Sequence, residues 1–354
     1  LKDKTTDNGL GSKYELQVVG GNLTLAKDDT IKYWSTTAYE YKVSIAEGDQ
    51  NIILEAIKAA DKNSLKEMNQ QSGERGFNFQ EGDKPEYVIG SDLGETAEGS
   101  SFVVTGIGTD GTTISGEDDK SFFEVVNDTD FSVEDLTMTD AHSENDGSVV
   151  YANNDSAKIN LDNVVISSSS SDKNGGAISN IASDSFNINN SEIKNNEASG
   201  LGGAIYTETN ITVTDTDFSG NKDKNGANDI YAGGSDAVVN LIAQNQEIKI
   251  ESGLAGDGTI NKDGTNDMTL SGNNAGFTGD LNVSEGNLNF IQNSEKDTYI
   301  SGNTDIASDK TVTINNDKSN ITTGTFSGEG TLNKDGSKDI TSSGDNSKFK
   351  GTAN

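Results

Sequence analysis

The sequence predicts an all-β fold, a right-handed single-stranded parallel β-helix (solenoid) with an N-terminal cap containing one α-helix. Three observations carry this. The tetrapeptide Gly-Gly-Ala-Ile occurs at Gly175, Gly176, Ala177 and Ile178 and again at Gly202, Gly203, Ala204 and Ile205, a spacing within the period of ~20 to 50 residues that marks solenoids. From about Tyr87 the chain becomes a succession of short alternating runs split by Gly, Asn, Asp and Ser, such as SSFVVTGIG and AKINLDNVVISS. Hydrophobic residues make up only 31% of the 354, too few for a large spherical core, yet there is a single Pro, which argues against disorder.

The elements follow in chain order. Residues 1–86 hold short alternating runs around a Gly20-Gly21 turn, then the helical pattern NIILEAIKAADKNSLKEMNQQ, with Ile53, Leu54, Ile57 and Leu65 near one face. A helix there would cover the open edge of the first coil. Residues 87–255 carry coils that begin near Gly147, Gly175, Gly202 and Gly226, with a corner expected between Val133 and Leu136. Residues 256–354 carry a second repeat: the segment from Gly256 to Gly279 reappears from Gly328 to Gly351 without a gap, so that Gly256, Gly258 and Gly264 match Gly328, Gly330 and Gly336. This 72-residue echo reads as three coils of 24. About 10 or 11 coils at ~4.8 Å each give a rod on the order of 50 Å long.

Charge and composition exclude several partners. There are 58 acidic against 26 basic residues, for a net charge of −32, which disfavours nucleic acid and anionic membrane surfaces. With no Cys there are neither disulfides nor thiolate metal sites. No apolar run reaches the ~18 residues of a membrane-spanning helix, so no membrane insertion by this segment is expected. The chain starts at Leu1 without a signal region and stops midway through a repeat, which reads as an excised mature segment truncated at its C-terminus.

The repeated glycines and asparagines read as scaffold. In Gly-Gly-Ala-Ile the glycines allow positive φ and close backbone approach, the alanine fits a cramped corner, and the isoleucine opens a strand. Asn196 and Asn221, behind their strands, suit left-handed turns and stacking on their counterparts. These motifs, with FSGN from Phe218 to Asn221, resemble the repeats of polymorphic outer-membrane proteins. The later GDGTINKDGTNDMTLSGNNAGFTG is similar to the autotransporter-associated β-strand repeat. The resemblance covers residues 147–354 and is partial, since only one coil has the full Phe-x-x-Asn. It implies the passenger of a type V secretion system, with a signal peptide and a C-terminal outer-membrane barrel outside this segment, placed on the bacterial surface or secreted, with a role in virulence.

The catalytic inventory is poor. The chain has one His, His142, and a single Arg, Arg75, just after the helical pattern. Carboxylate pairs at Asp215 and Asp217, and at Asp128 and Asp130, have the spacing of a glycosidase pair but are also what an acidic strand surface produces. The loops around Asp118 and Asp119, and around Asp263 and Asp267, leave calcium open without matching an EF-hand. The expectation is therefore a non-enzymatic adhesin without cofactor, binding a host or bacterial surface receptor, protein or glycan, through a sheet face or the ISSSSSDKN segment from Ile166 to Asn174. A polysaccharide-degrading β-helix enzyme and a passive structural stalk are the alternatives.

Overall fold

The computed structural model describes residues 101–354 other than Asn127, together with Asp92 and the backbone of short strands among the first 100 residues. The helix expected over 51–71 lies outside the described residues. Ahead of it, strands Glu15–Val19 and Asn22–Lys27 pair antiparallel with Val19 opposite Asn22, the register of a two-residue hairpin at the predicted Gly-Gly position. Among the described residues there is no helix, and the body is a parallel β-solenoid of about ten turns.

Up to Gly256, each turn contributes strands to three successive faces; beyond it the third stack stops. Along the first, Thr129–Thr139 begins a stack through Lys158–Ser167, Ser185–Asn189, Ile211–Thr214, Val238–Ile242 and Thr259–Asp263. The second face holds Glu192–Lys194, Asp217–Ser219, Ile248–Ile250 and Met268–Leu270, and the third Val150–Asn153, Ile178–Ala182, Ile205–Thr207, Ile230–Ala232 and Leu254–Gly256. The first-face stack already includes Gly73–Asn78, paired with Ser100–Thr105, so Arg75 lies on a coil strand rather than ahead of the coils.

Alternation decides which side chains enter the core. Val133, Leu161, Ile188, Val213 and Leu241 stand above one another in register, all fully buried. Phe218 occupies the matching column of the second face, between Ile193 and Ile250. Each inward branched or aromatic residue thus packs on its equivalents one coil before and after, which suits a core only one side chain deep.

Corners are built by left-handed residues in columns. Asp135, Asn163, Asn190 and Asp215 turn the chain from first to second face, Asp140, Ser168, Asn195 and Gly220 turn it again, and Gly147, Gly175 and Gly202 make the third turn, all at positive φ. The corner expected between Val133 and Leu136 is therefore Asp135. Asn and Asp serve because they tolerate this conformation better than most side-chain-bearing residues. The left-handed residue is Asn195 or Gly220; Asn196 and Asn221 follow it and point inward. In Gly-Gly-Ala-Ile the two glycines divide the work. Gly175 and Gly202 supply positive φ, whereas a Cβ on Gly176 would lie 2.1 Å from the carbonyl oxygen of Gly203 in the next coil. Ala177 and Ala204 are fully buried, and Ile178 and Ile205 open the third-face strands.

Coil length departs from the reading of the echo as three equal coils. Register carries Thr259 to Asp280, then Asn303, then Thr325, so three turns end short of Thr331, where the echo of Thr259 stands. The remaining residues advance the chain by one strand, so TINKD lies on the first face and its echo TLNK on the second. Gly256 bridges Phe277 and Gly328 bridges Phe349 in the same way, one face apart. The repeat is three and one-third turns.

Gly176→Ala is expected to destabilise the fold by about 1–3 kcal/mol, because the added methyl meets backbone that cannot move aside. Denaturant unfolding of the variant checks this; a change below a few tenths would contradict the close approach.

Candidate ligand-binding face

The outward positions of the third face form a column that repeats once per coil: Glu124, Tyr151, Ser179, Tyr206, Tyr231 and Ala255. Their inward neighbours Val150, Ile178, Ile205 and Ile230 are fully buried, which fixes the direction of the tyrosines. All three tyrosines are half-buried. The rings of Tyr206 and Tyr231 stack at 5.6 Å between centroids and 17° between planes. Gly233 makes room for them: a Cβ there would stand 3.3 Å from both the Tyr206 hydroxyl and the Tyr231 ring. Tyr206 Oη donates to Glu208 Oε1 at 2.6 Å, which holds its ring in place.

Beside Tyr151 lies a groove of about 320 Å³ whose walls include Glu124, Asn145, Asp146 and Lys173. Lys173 Nζ donates to Asn145 Oδ1 at 2.9 Å. Carboxylates dominate the surroundings of the column. Burial, then Asp146 and Glu124, pushes the Tyr151 phenol up; burial, then the bond to Glu208, does so for Tyr206; burial, then Asp257 and Asp223, does so for Tyr231. Acidic side chains thus act on all three phenols.

Ser179, between Tyr151 and Tyr206 in the column, is fully buried, and its Oγ has no hydrogen-bond partner. An unpaired buried hydroxyl is unfavourable by about 1–3 kcal/mol relative to a paired one. Single coils do not reveal this column in the sequence. Aligning them does: Tyr151, Tyr206 and Tyr231 each follow the aliphatic residue that opens a third-face strand.

The carboxylates singled out by spacing are placed otherwise. Asp215 is a left-handed corner rather than a strand residue, so it does not share a strand with Asp217. Burial alone would raise its pKa, but donors from the backbone of Asn245, Gln246 and Gln244 and from the Asn245 side chain outweigh this and lower it. Asp217 Oδ1 accepts from the Lys249 backbone at 2.8 Å, and Lys249 Nζ lies 3.9 Å from Oδ2. Asp128 and Asp130 are exposed, with Asp130 paired to Lys158 at 3.8 Å. His142 lies on a short strand with Nδ1 2.9 Å from Ser170 Oγ. The segment Ile166–Asn174 does not protrude as a loop; Ser169 and Ser171 are buried, and Ser170–Ser171 is a wall strand.

Of the loops left open for calcium, Asp119 pairs with Lys120, and Asp267 accepts from the backbone and side chain of Asn287. Among the described residues no group of three His, Asp or Glu side chains stands close enough to hold a metal ion. NKDG is not the turn expected: Asn261, Lys262 and Asp263 end a first-face strand, and only Gly264 turns, at positive φ. Lys262 occupies the aliphatic column above Leu241, fully buried, and its Nζ donates to the carbonyls of Asp263, Gly264 and Glu285 at 2.9–3.1 Å. Burial pulls its pKa down.

Polar residues also run through the core as a ladder. Ser169 N donates to Asn196 Oδ1, Asn196 Nδ2 to Asn221 Oδ1, and Asn221 Nδ2 to Asp229 Oδ1 at 2.7 Å. Asp229 stands where earlier coils have Ala177 and Ala204, and it also accepts from Ser252 N at 2.6 Å. Burial pushes its carboxyl up to about 6 despite those donors.

Protein-family profiles, curated proteins and solved structures offer no match to the chain. Fold and site stand on their own residues.

Because Asp229 has a folded-state pKa above its ordinary value, its contribution to stability is full below about pH 4 and fades as pH rises through about 6. Asp229→Asn is expected to gain stability relative to the unmodified chain between pH 4 and pH 7, by up to about 3 kcal/mol. Unfolding curves of both proteins across that range check it; a constant difference would show that Asp229 does not titrate there.

Proposed function

We propose that this chain is an extracellular binding module: the β-helical passenger of a bacterial autotransporter-like surface protein, adhering to a receptor on host or bacterial surfaces. The observation that carries the reading is the column of half-buried tyrosines on the third face of an otherwise polar, acidic rod. Tyrosine combines large contact area with low conformational entropy, and it is enriched where proteins meet their partners. Flat stacked faces also suit recognition of an extended polymer, protein or glycan, along the rod axis.

The resemblance of the Gly-Gly-Ala-Ile, Phe-Ser-Gly-Asn and Gly-x-Gly-Thr-x-Asn-Lys-Asp-Gly segments to secreted passengers supports the location, and the parallel solenoid is consistent with it. Binding is favoured over carbohydrate hydrolysis because the Asp215 carboxylate is taken up by four donors of the 244–246 corner. A hydrolase needs one carboxyl free to protonate a leaving group and another free to attack or activate water.

The test uses the purified chain coated on beads. Attachment to epithelial and bacterial cells is expected to fall at least about tenfold for Tyr151→Ala/Tyr206→Ala/Tyr231→Ala, since clustered aromatic anchors carry most interface energy. Asp217→Asn should attach as the unmodified chain does. New reducing or unsaturated ends from a polysaccharide panel, lost in Asp217→Asn, would overturn the reading in favour of an enzyme. Attachment unaffected by the tyrosine changes would overturn it too.

A further inference from the structure

The geometry points to a specific ligand chemistry for the third face: the slot between Tyr151 and Tyr206, floored by Ser179, binds a primary ammonium group such as a lysine side chain of a partner protein. This rests on the binding reading above and names the chemistry that the site takes.

Spacing comes first. Tyr151 and Tyr206 flank Ser179 in parallel register, one coil to either side. Strands of neighbouring coils stand ~4.8 Å apart, so the Cα atoms of Tyr151 and Tyr206 stand ~9.6 Å apart and a group held over Ser179 is ~4.8 Å from each of their strands. That spacing lets rings rising from those strands come within the ~6 Å reach of a cation over an aromatic face. Tyr231 stacks on the far side of Tyr206, so the Tyr206 face toward Ser179 is the one available to a ligand.

Charge selects the sign of the ligand. Asp146 acts on both Tyr151 and Tyr206, with Glu124 beside the first and Glu208 bonded to the second. Lys173 is the one basic residue lining the groove, and it is engaged with Asn145. An anion would enter against this field, and a neutral ligand would gain nothing from it.

The floor selects the kind of cation. Ser179 Oγ is buried without a hydrogen-bond partner, so its lone pairs are unused in the free chain. A primary ammonium brings three N–H donors, whereas a quaternary ammonium of equal charge brings none. Ser179 is closed off in the free chain, so entry turns the Tyr151 ring outward, Tyr206 being held by Glu208 and Tyr231; such rotamer changes at the surface take nanoseconds. The cost of the unpaired hydroxyl is recovered when the ligand donates to it.

Titration of the full chain with n-butylammonium chloride, followed by NMR of the tyrosine rings and the Ser179 amide, tests this. Saturable shifts at Tyr151, Tyr206 and Ser179 are expected with a Kd of about millimolar, weakened by added salt. 1-Butanol, with the same chain and no charge, should give no saturable shift, and tetramethylammonium should bind several-fold more weakly. Tyr206→Leu is expected to weaken butylammonium binding about 5- to 30-fold, while Tyr206→Phe, which keeps the ring and reports on folding, retains it. Butanol binding as well as butylammonium, or Tyr206→Leu binding unchanged, would overturn the proposal. Tetramethylammonium binding at least as tightly would overturn the role of Ser179. Loss of cell attachment in the tyrosine variants with no butylammonium response would sink this inference and leave the broader binding reading standing.

Discussion

Everything in this chain depends on parallel pairing of each coil with the next. A residue stands directly above its counterpart one turn earlier, at the ~4.8 Å strand spacing, so any side chain must tolerate its own kind as a neighbour. Apolar and amide side chains meet that condition readily. Charged ones do not, since like charges at that spacing repel. The core columns accordingly hold Val133, Leu161 and Ile188 in one place and Ser169, Asn196 and Asn221 in another. Each amide takes from the coil before it and gives to the coil after it, so a thin core leaves few backbone groups stranded.

Two of the buried charged residues, Asp229 and Lys262, mark where a column cannot repeat. Asp229 receives the last amide of the ladder, at a seam where the coils shorten: the step from Ile230 to Leu254 is shorter than that from Ile178 to Ile205. Lys262 enters an aliphatic column and ties three corner carbonyls together. Both are satisfied by hydrogen-bond partners, Lys262 in its own corner and on the next coil, as burial of a charge requires. The same rule explains the surface: outward columns are free of packing, and there the chain sets asparagines in one file, with Asn261 bonded to Asn240 and Asn282 to Asn261, and tyrosines in another.

Much of the fold was legible in the residues. Gly175, Gly202, Ala177, Ala204, Ile178 and Ile205 announced a coil because a corner, a cramped pocket and a strand start each admit few residue types. The echo of Gly256 to Gly279 was misleading for a physical reason: similarity counts residues, whereas the solenoid counts strands, and TINKD and TLNK fit equally well on different faces. The tyrosine column stayed hidden because Tyr151 and Tyr206 lie two coils apart, with Ser179 in the gap, and Tyr231 follows only after a shorter coil. Asp215 looked like half of a strand pair because nothing local distinguishes a left-handed aspartate from an extended one; its donors arrive from residues 244–246, a coil later.

Register is the claim on which core, corners and tyrosine face all rest, and the absence of native cysteine makes it directly measurable. In register, Asn261 stands beside Asn282 on the next coil; equal division of the echo into three coils would put Glu285 there instead. Neighbouring parallel positions have Cα atoms ~4.8 Å apart, within the ~4.4–6.8 Å range of a disulfide. The account predicts rapid oxidative cross-linking of Asn261→Cys/Asn282→Cys and none of Asn261→Cys/Glu285→Cys. The reverse result would contradict it.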